Sequence, residues 1–137
     1  MILGIGIDVV KINRIESLFK RHGDRFKTKV FALSERETSD KRLNDVEAYA
    51  KRWAAKEALI KALGLGFRTR MRWKDICICN TEVGAPKIDL TGESKKLLDK
   101  VTPINHVAKI HLSISDDYPW AHAMVLLEAI PASCKRE

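Results

Sequence analysis

Residues 46–63 constrain the fold of this chain more than any other stretch. They are rich in strong helix formers and run into Gly64, a usual residue just beyond a helix C-terminus, so a helix is predicted from about Val46 to Leu63. At about 100° per residue, Val46, Tyr49, Ala50, Trp53 and Ile60 share one apolar stripe, and Glu57 falls in its middle. A carboxylate is thereby aimed at the core. Ionised and unpaired there, it would carry a heavy desolvation cost or be forced to protonate, so it needs a cation, a metal or hydrogen-bond donors beside it.

Asp8 poses the same problem in a second place. Residues 2–10 read Ile-Leu-Gly-Ile-Gly-Ile-Asp-Val-Val, a nearly continuous apolar run of the kind that makes a buried strand, and Asp8 interrupts it. Two inward carboxylates would raise each other's pKa unless a divalent cation sat between them, and oxygen-only ligands suit magnesium. Magnesium usually takes substrate phosphate as a further ligand, so such a site implies a phosphate-bearing substrate. The plainer alternatives are that Asp8 caps the helix after it and that Glu57 pairs with Lys61 at i+4.

Around these two elements the chain reads as α+β, one domain of 137 residues, with 129–137 as a tail. A helix is expected over 11–22, stopped by Gly23, then a polar stretch from Ser34 to Asp45. Gly64-Leu65-Gly66 reads as a flexible turn. Strands are expected over 73–80 and 86–90 about the turn Gly84-Ala85-Pro86, a short helix over 91–100, and a hairpin of 106–115 with 120–129 across Asp116-Asp117-Tyr118-Pro119. No stretch approaches the ~18 uninterrupted apolar residues of a membrane span. Met1-Ile2-Leu3-Gly4-Ile5 lacks the basic region of a secretory signal, and three cysteines (Cys77, Cys79, Cys134) are an odd set, so a reducing cytoplasmic setting is expected. A net charge of +7 points to an anionic partner without saying which.

Other side chains are candidates for binding that anion. Lys61, one turn beyond Glu57, is placed to neutralise charge on a phosphate leaving group, or to form a plain surface ion pair. Arg52 and Lys56 lie on another flank of the helix and either hold a more distant phosphate or are solvated. Arg68, Arg70 and Arg72 form a basic cluster that fits an anion clamp, an RNA contact or simple solubility. Arg14, Leu18 and Arg21 form a cationic stripe with an apolar centre, which Arg25 and Phe26 extend, and an acidic amphipathic helix would fit it. His111 and Ser113 share the polar side of their strand and face solvent or a cleft. A zinc site, nucleophile elbow, P-loop or full dinucleotide fingerprint is not readable. A small basic RNA-binding module is the rival reading, but it lacks a module signature.

Several of these segments together resemble one family. Gly4-Ile5-Gly6-Ile7-Asp8-Val9-Val10 with Arg14-Ile15 is similar to the opening motif of the bacterial holo-acyl-carrier-protein synthases, and Arg52 to Gly64 is similar to their signature helix. Trp73-Lys74-Asp75-Ile76, Gly84-Ala85-Pro86 and His111-Leu112-Ser113-Ile114-Ser115-Asp116 follow in the same order as the family's landmarks, over residues 1 to about 128. The resemblance implies a 4'-phosphopantetheinyl transferase fold, an antiparallel sheet against a long central helix, working as a homotrimer with clefts between subunits. It implies that Asp8 and Glu57 hold Mg2+ with a diphosphate oxygen of coenzyme A, that Glu57, directly or through a metal-bound water, takes the proton of a carrier serine, and that Lys61 assists departure of adenosine 3',5'-bisphosphate. It further implies that Arg52, Gly64 and Gly66 contact the nucleotide phosphates, that Pro86 lies beside the adenosine and that His111 lines the cleft. Arg14, Leu18, Arg21, Arg25 and Phe26 would receive the acidic helix of apo-acyl carrier protein, and neither nucleic acid nor membrane is an expected partner. Trp53 stands where the family usually has Phe, the Arg68–Arg72 stretch is unusually basic, and the tail after Glu128 has no clear counterpart.

Overall fold

In the computed structural model, which describes residues 1–134 with backbone only at Leu65, β1 (Ile2–Lys11) leads straight into α1 (Ile12–His22). Two short helices, α2 (Asp24–Val30) and α3 (Leu33–Asp40), precede the long α4 (Asp45–Leu63). A 3₁₀ segment (Leu65–Arg70) and a single 3₁₀ turn (Trp73–Asp75) then lead to the hairpin β2 (Ile76–Asn80) and β3 (Pro86–Leu90). After α5 (Gly92–Val101), the hairpin β4 (His106–Asp117) and β5 (Trp120–Pro131) ends in a 3₁₀ turn (Ala132–Cys134). β1, β5 and β4 form an antiparallel sheet in that order, while β2 and β3 pair by themselves.

Small residues decide how the centre is built. Ala48, Ala50, Ala54, Ala55, Ala58 and Ala62 bring the surface of α4 close to its axis, and the inner face of β5 (Ala121, Ala123, Val125, Leu127, Ala129) is no more than 2% exposed. On β1 the facing residues are Gly4 and Gly6. A Cβ at Gly4 would lie 2.1 Å from the Ala62 carbonyl oxygen and one at Gly6 2.0 Å from that of Ala58, so only glycine lets strand and helix approach this closely. Because β1 runs antiparallel to α4 through these two contacts, its next inward residue, Asp8, falls level with the turn that carries Glu57.

A one-stripe reading of α4 is too narrow. Thirteen of its nineteen residues are buried, because the sheet covers one side while α1, α3 and β2 cover others. Lys56 is among them and is not a phosphate ligand. Its ammonium is fully buried, 2.6 Å from Glu35 Oε1 and 2.9, 3.0 and 2.6 Å from the carbonyl oxygens of Val30, Trp73 and Ile76. Burial pulls its pKa below the ordinary lysine range, and the charge of Glu35 opposes that shift. Glu35 also accepts from the backbone N–H groups of Ala32 and Ile78, at 3.0 and 3.2 Å. One buried ion pair therefore ties α3, α4 and β2 together.

Three further expectations need correction. The polar stretch from Ser34 to Asp45 is helical at its start, because Glu35 caps α3 from within and binds Lys56; nothing in its own apolar pattern signals this. The strand expected from residue 73 begins at Ile76, after a 3₁₀ turn. The supposed tail from 129 is still sheet: β5 runs to Pro131, Ala129 is fully buried, and the Met1 and Ala129 backbones bond to each other. The last expected tail residues, 135–137, lie outside the described residues. No helix among the described residues is long and apolar enough to cross a membrane, and all three cysteines are free.

Candidate active site

Asp8 and Glu57 both sit inward, and each has a cation. The Lys61 ammonium donates to Asp8 Oδ1 and to the Ile7 carbonyl oxygen, both at 3.0 Å. Glu57 is paired instead with Arg68, whose guanidinium reaches back from the 3₁₀ segment beyond the helix. The i+4 pair of Glu57 with Lys61 is thus not the arrangement seen, and Asp8 caps no backbone N–H of α1. Both carboxylates are nearly enclosed, with side chains 14% and 9% exposed, whereas Lys61 and Arg68 are 40% and 47% exposed. Each of these two nearly enclosed acids is therefore neutralised by a long side chain that comes in from solvent.

Among the described residues no group of three or more His, Cys, Asp and Glu side chains is arranged to hold a metal. Asp8 and Glu57 are two carboxylates without nitrogen or sulfur donors, so a cation bound to them takes its remaining oxygens from water or substrate, as magnesium does.

A separate cavity of about 460 Å³ opens on the other flank of α4, within the range of ligand pockets. Arg42, Lys51, Arg52 and Pro86 line it, together with Glu47 and Asp116. Arg52 donates from Nη1 to the Ala48 carbonyl oxygen at 3.1 Å, but its buried Nε has no hydrogen-bond partner among the described residues. Desolvation lowers the Arg52 pKa, and a guanidinium nonetheless stays charged. At the cavity mouth Lys51 lies 3.1 Å from Asp116 and 3.6 Å from Glu47. A hydrogen bond with Asp116 raises the Glu47 pKa and correspondingly lowers that of Asp116, so the two carboxyls share a proton as pH falls.

The remaining expected residues fall in three places. Arg14, Arg21 and Arg25 are exposed and Leu18 half-buried along α1 and the start of α2, as a continuous basic stripe requires. Phe26 is less free than expected, being packed between the tilted rings of Phe19 and Trp53 at centroid distances of 5.7 and 5.6 Å. Gly64 ends α4 with φ 113°, beyond reach of an ordinary side chain, and Gly66 follows within the 3₁₀ segment rather than in a flexible turn. His111 lies on the outer face of the sheet, 2.8 Å from Glu128 Oε2, away from the cavity that holds Arg52 and Pro86. That hydrogen bond holds the Glu128 carboxyl below its usual range. Sequence reasoning left Arg68 open between an anion clamp, an RNA contact and solubility, none of them a partner for Glu57, and missed Glu35, Arg42 and Lys51; only Arg68 carried a readable signal, its place in a basic run after the signature helix.

The 4'-phosphopantetheinyl transferase superfamily matches residues 4–123. A holo-[acyl-carrier-protein] synthase of Ruegeria sp. (strain TM1040) is 49% identical over 131 residues, which cover 96% of this chain and 92% of that protein. The crystal structure of the holo-[acyl-carrier-protein] synthase from Neisseria meningitidis superposes with a TM-score of 0.82 at 32% identity, covering 93% of this chain and 99% of that one. A Chronobacterium ammoniagenes synthase solved in complex with CoA superposes with a TM-score of 0.80 at 29% identity, covering 93% and 97%. With its α4 framed by glycine-packed β1 and by β5, as these folds superpose, the chain belongs to the 4'-phosphopantetheinyl transferase superfamily, among the holo-[acyl-carrier-protein] synthases.

Proposed function

We propose that the protein transfers 4'-phosphopantetheine from coenzyme A to a serine of apo-acyl carrier protein, releasing adenosine 3',5'-bisphosphate, in support of fatty acid biosynthesis. The observation that carries this reading is the pair of inward carboxylates, Asp8 on β1 and Glu57 on α4, held at one level by the packing of Gly4 and Gly6 on the helix. Their all-oxygen donor set fits Mg2+, which when bound would offset diphosphate charge and polarise the phosphoryl group.

The serine oxygen attacks the phosphorus that bears pantetheine, and the bond from that phosphorus to the bisphosphate leaving group breaks. Glu57 receives the serine proton. Lys61, on a long flexible stem beside Asp8, turns to the charge gathering on the departing bisphosphate. Positioning and charge neutralisation supply most of the rate, and no covalent enzyme intermediate is needed. Arg52, with a buried Nε that lacks a partner, and Pro86 in the same cavity suit the nucleotide end of coenzyme A, and Gly64 and Gly66 the phosphates near Lys61. The basic stripe of Arg14, Leu18, Arg21 and Arg25, with Phe26 beneath it, suits an acidic carrier helix.

The protein is read as a homotrimer. Ile5, Ile7, Val9 and Met124 leave an apolar patch on the outer sheet face, 43–61% exposed. His111 borders that face, apart from Arg52 and Pro86, and a cleft shared between subunits is what would reunite them.

Incubation with coenzyme A, Mg2+ and apo-acyl carrier protein is expected to increase the carrier's mass by one phosphopantetheine arm. EDTA should stop the gain reversibly, and Asp8→Ala and Glu57→Gln should abolish it while circular dichroism stays native. No mass gain, with steeply salt-dependent RNA binding instead, would overturn the assignment.

A further inference from the structure

Arg68 and Glu57 form a pair of unequal partners. Glu57 is fixed in the middle of α4 and nearly enclosed, whereas Arg68 stands on the 3₁₀ segment that starts just after Gly64 and keeps half of its side chain in solvent. Its guanidinium can therefore leave with far less loss of packing than the fully buried Lys56 would suffer. Arg70 and Arg72, its neighbours, have no ion pair among the described residues, so the pairing belongs to Arg68 and is not a general feature of the basic run.

The position has an electrostatic consequence. Asp8, Glu57, Lys61 and Arg68 together carry no net charge, so a divalent cation entering alone brings two unbalanced positive charges and must displace Arg68 from Glu57 Oε2. A diphosphate entering with it restores the balance and offers the displaced guanidinium the planar, bidentate oxygen pair that it binds best.

Resting on the reading of Asp8 and Glu57 as cation ligands, we propose that Arg68 is an exchangeable counter-ion that couples cation binding to diphosphate binding. It holds Glu57 while no cation is bound, weakens binding of the cation by itself, and moves to the diphosphate of coenzyme A when both arrive. Arg68 is thus a positioning residue that makes the site assemble only on the complete substrate, and linkage requires that coenzyme A and the cation each tighten the other's binding.

Mn2+, observed directly by electron paramagnetic resonance, is the probe, titrated into the full chain with and without coenzyme A. Arg68→Ala is expected to bind Mn2+ alone about three- to fivefold more tightly than the unmodified protein, the range of a partly exposed ion pair. The tightening that coenzyme A causes should shrink in the same variant, and Arg68→Lys should fall between. Arg70→Ala, two residues on in the same segment, should change neither quantity. If Glu57→Gln loses Mn2+ but Arg68→Ala binds it no better than the unmodified protein, the counter-ion role is wrong and the cation site stands. Equal tightening in Arg70→Ala would also overturn it, as a mere field effect. If Glu57→Gln binds Mn2+ normally, the cation site itself is misassigned and the proposal goes with it.

Discussion

Lys56 and Glu57 are adjacent in sequence and opposite in purpose. On a helix, neighbours point about 100° apart, so Glu57 reaches the sheltered place beside β1 while Lys56 enters the space between α3 and β2. Lys56 has no solvent and four oxygen neighbours, one of them a carboxylate that is itself fully buried. Lys56→Met would leave Glu35 as an uncompensated buried charge, at a cost of about 3–5 kcal/mol. Urea unfolding should show a fall in unfolding free energy of that size, and Glu35→Met added to Lys56→Met should recover part of it. A loss below about 1 kcal/mol in the single variant would mean that water or another cation replaces the ammonium.

At the level of elements, the site depends on how closely β1 lies on α4. Gly6→Ala places a carbon against the Ala58 carbonyl oxygen, a backbone atom that cannot turn aside, so strand and helix must separate. Overpacking of this kind costs about 1–3 kcal/mol. The separation also lifts Asp8 away from the level of Glu57, so transfer activity should fall at least tenfold even at temperatures where the variant is folded. Gly66→Ala, built into open space, is the control for stability and should change it by less than about 0.5 kcal/mol. Thermal unfolding and single-turnover transfer on the two variants check both statements.

For the whole molecule the feature with consequences is the exposed apolar face of the sheet. Ile5, Ile7 and Val9 alternate with Gly4, Gly6 and Asp8 along β1, so one face of the strand turns to α4 while the other leaves its apolar side chains exposed. In register, Ile7 pairs with Met124 and Ile5 with Leu126, which makes the apolar patch continuous across two strands. In the proposed homotrimer this patch lies between subunits, so Ile7→Glu should sediment as a monomer, with the circular dichroism of the fold retained and transfer lost. A native protein that sediments as a monomer at micromolar concentration would refute the trimer.

Asp8, Glu57, the long helix, the basic face of α1 and both hairpins were legible in the residues, because burial of a charge among apolar neighbours and the period of a strand or helix are local properties of sequence. α3, the Lys56–Glu35 pair, the role of Arg68 and the cavity of Arg42, Lys51 and Arg52 were not. Each depends on groups far apart in the chain meeting in space, and a polar side chain looks the same in sequence whether water or another buried ion surrounds it. Local pattern determined which side chains needed a partner, and only tertiary packing decided which partner each one found.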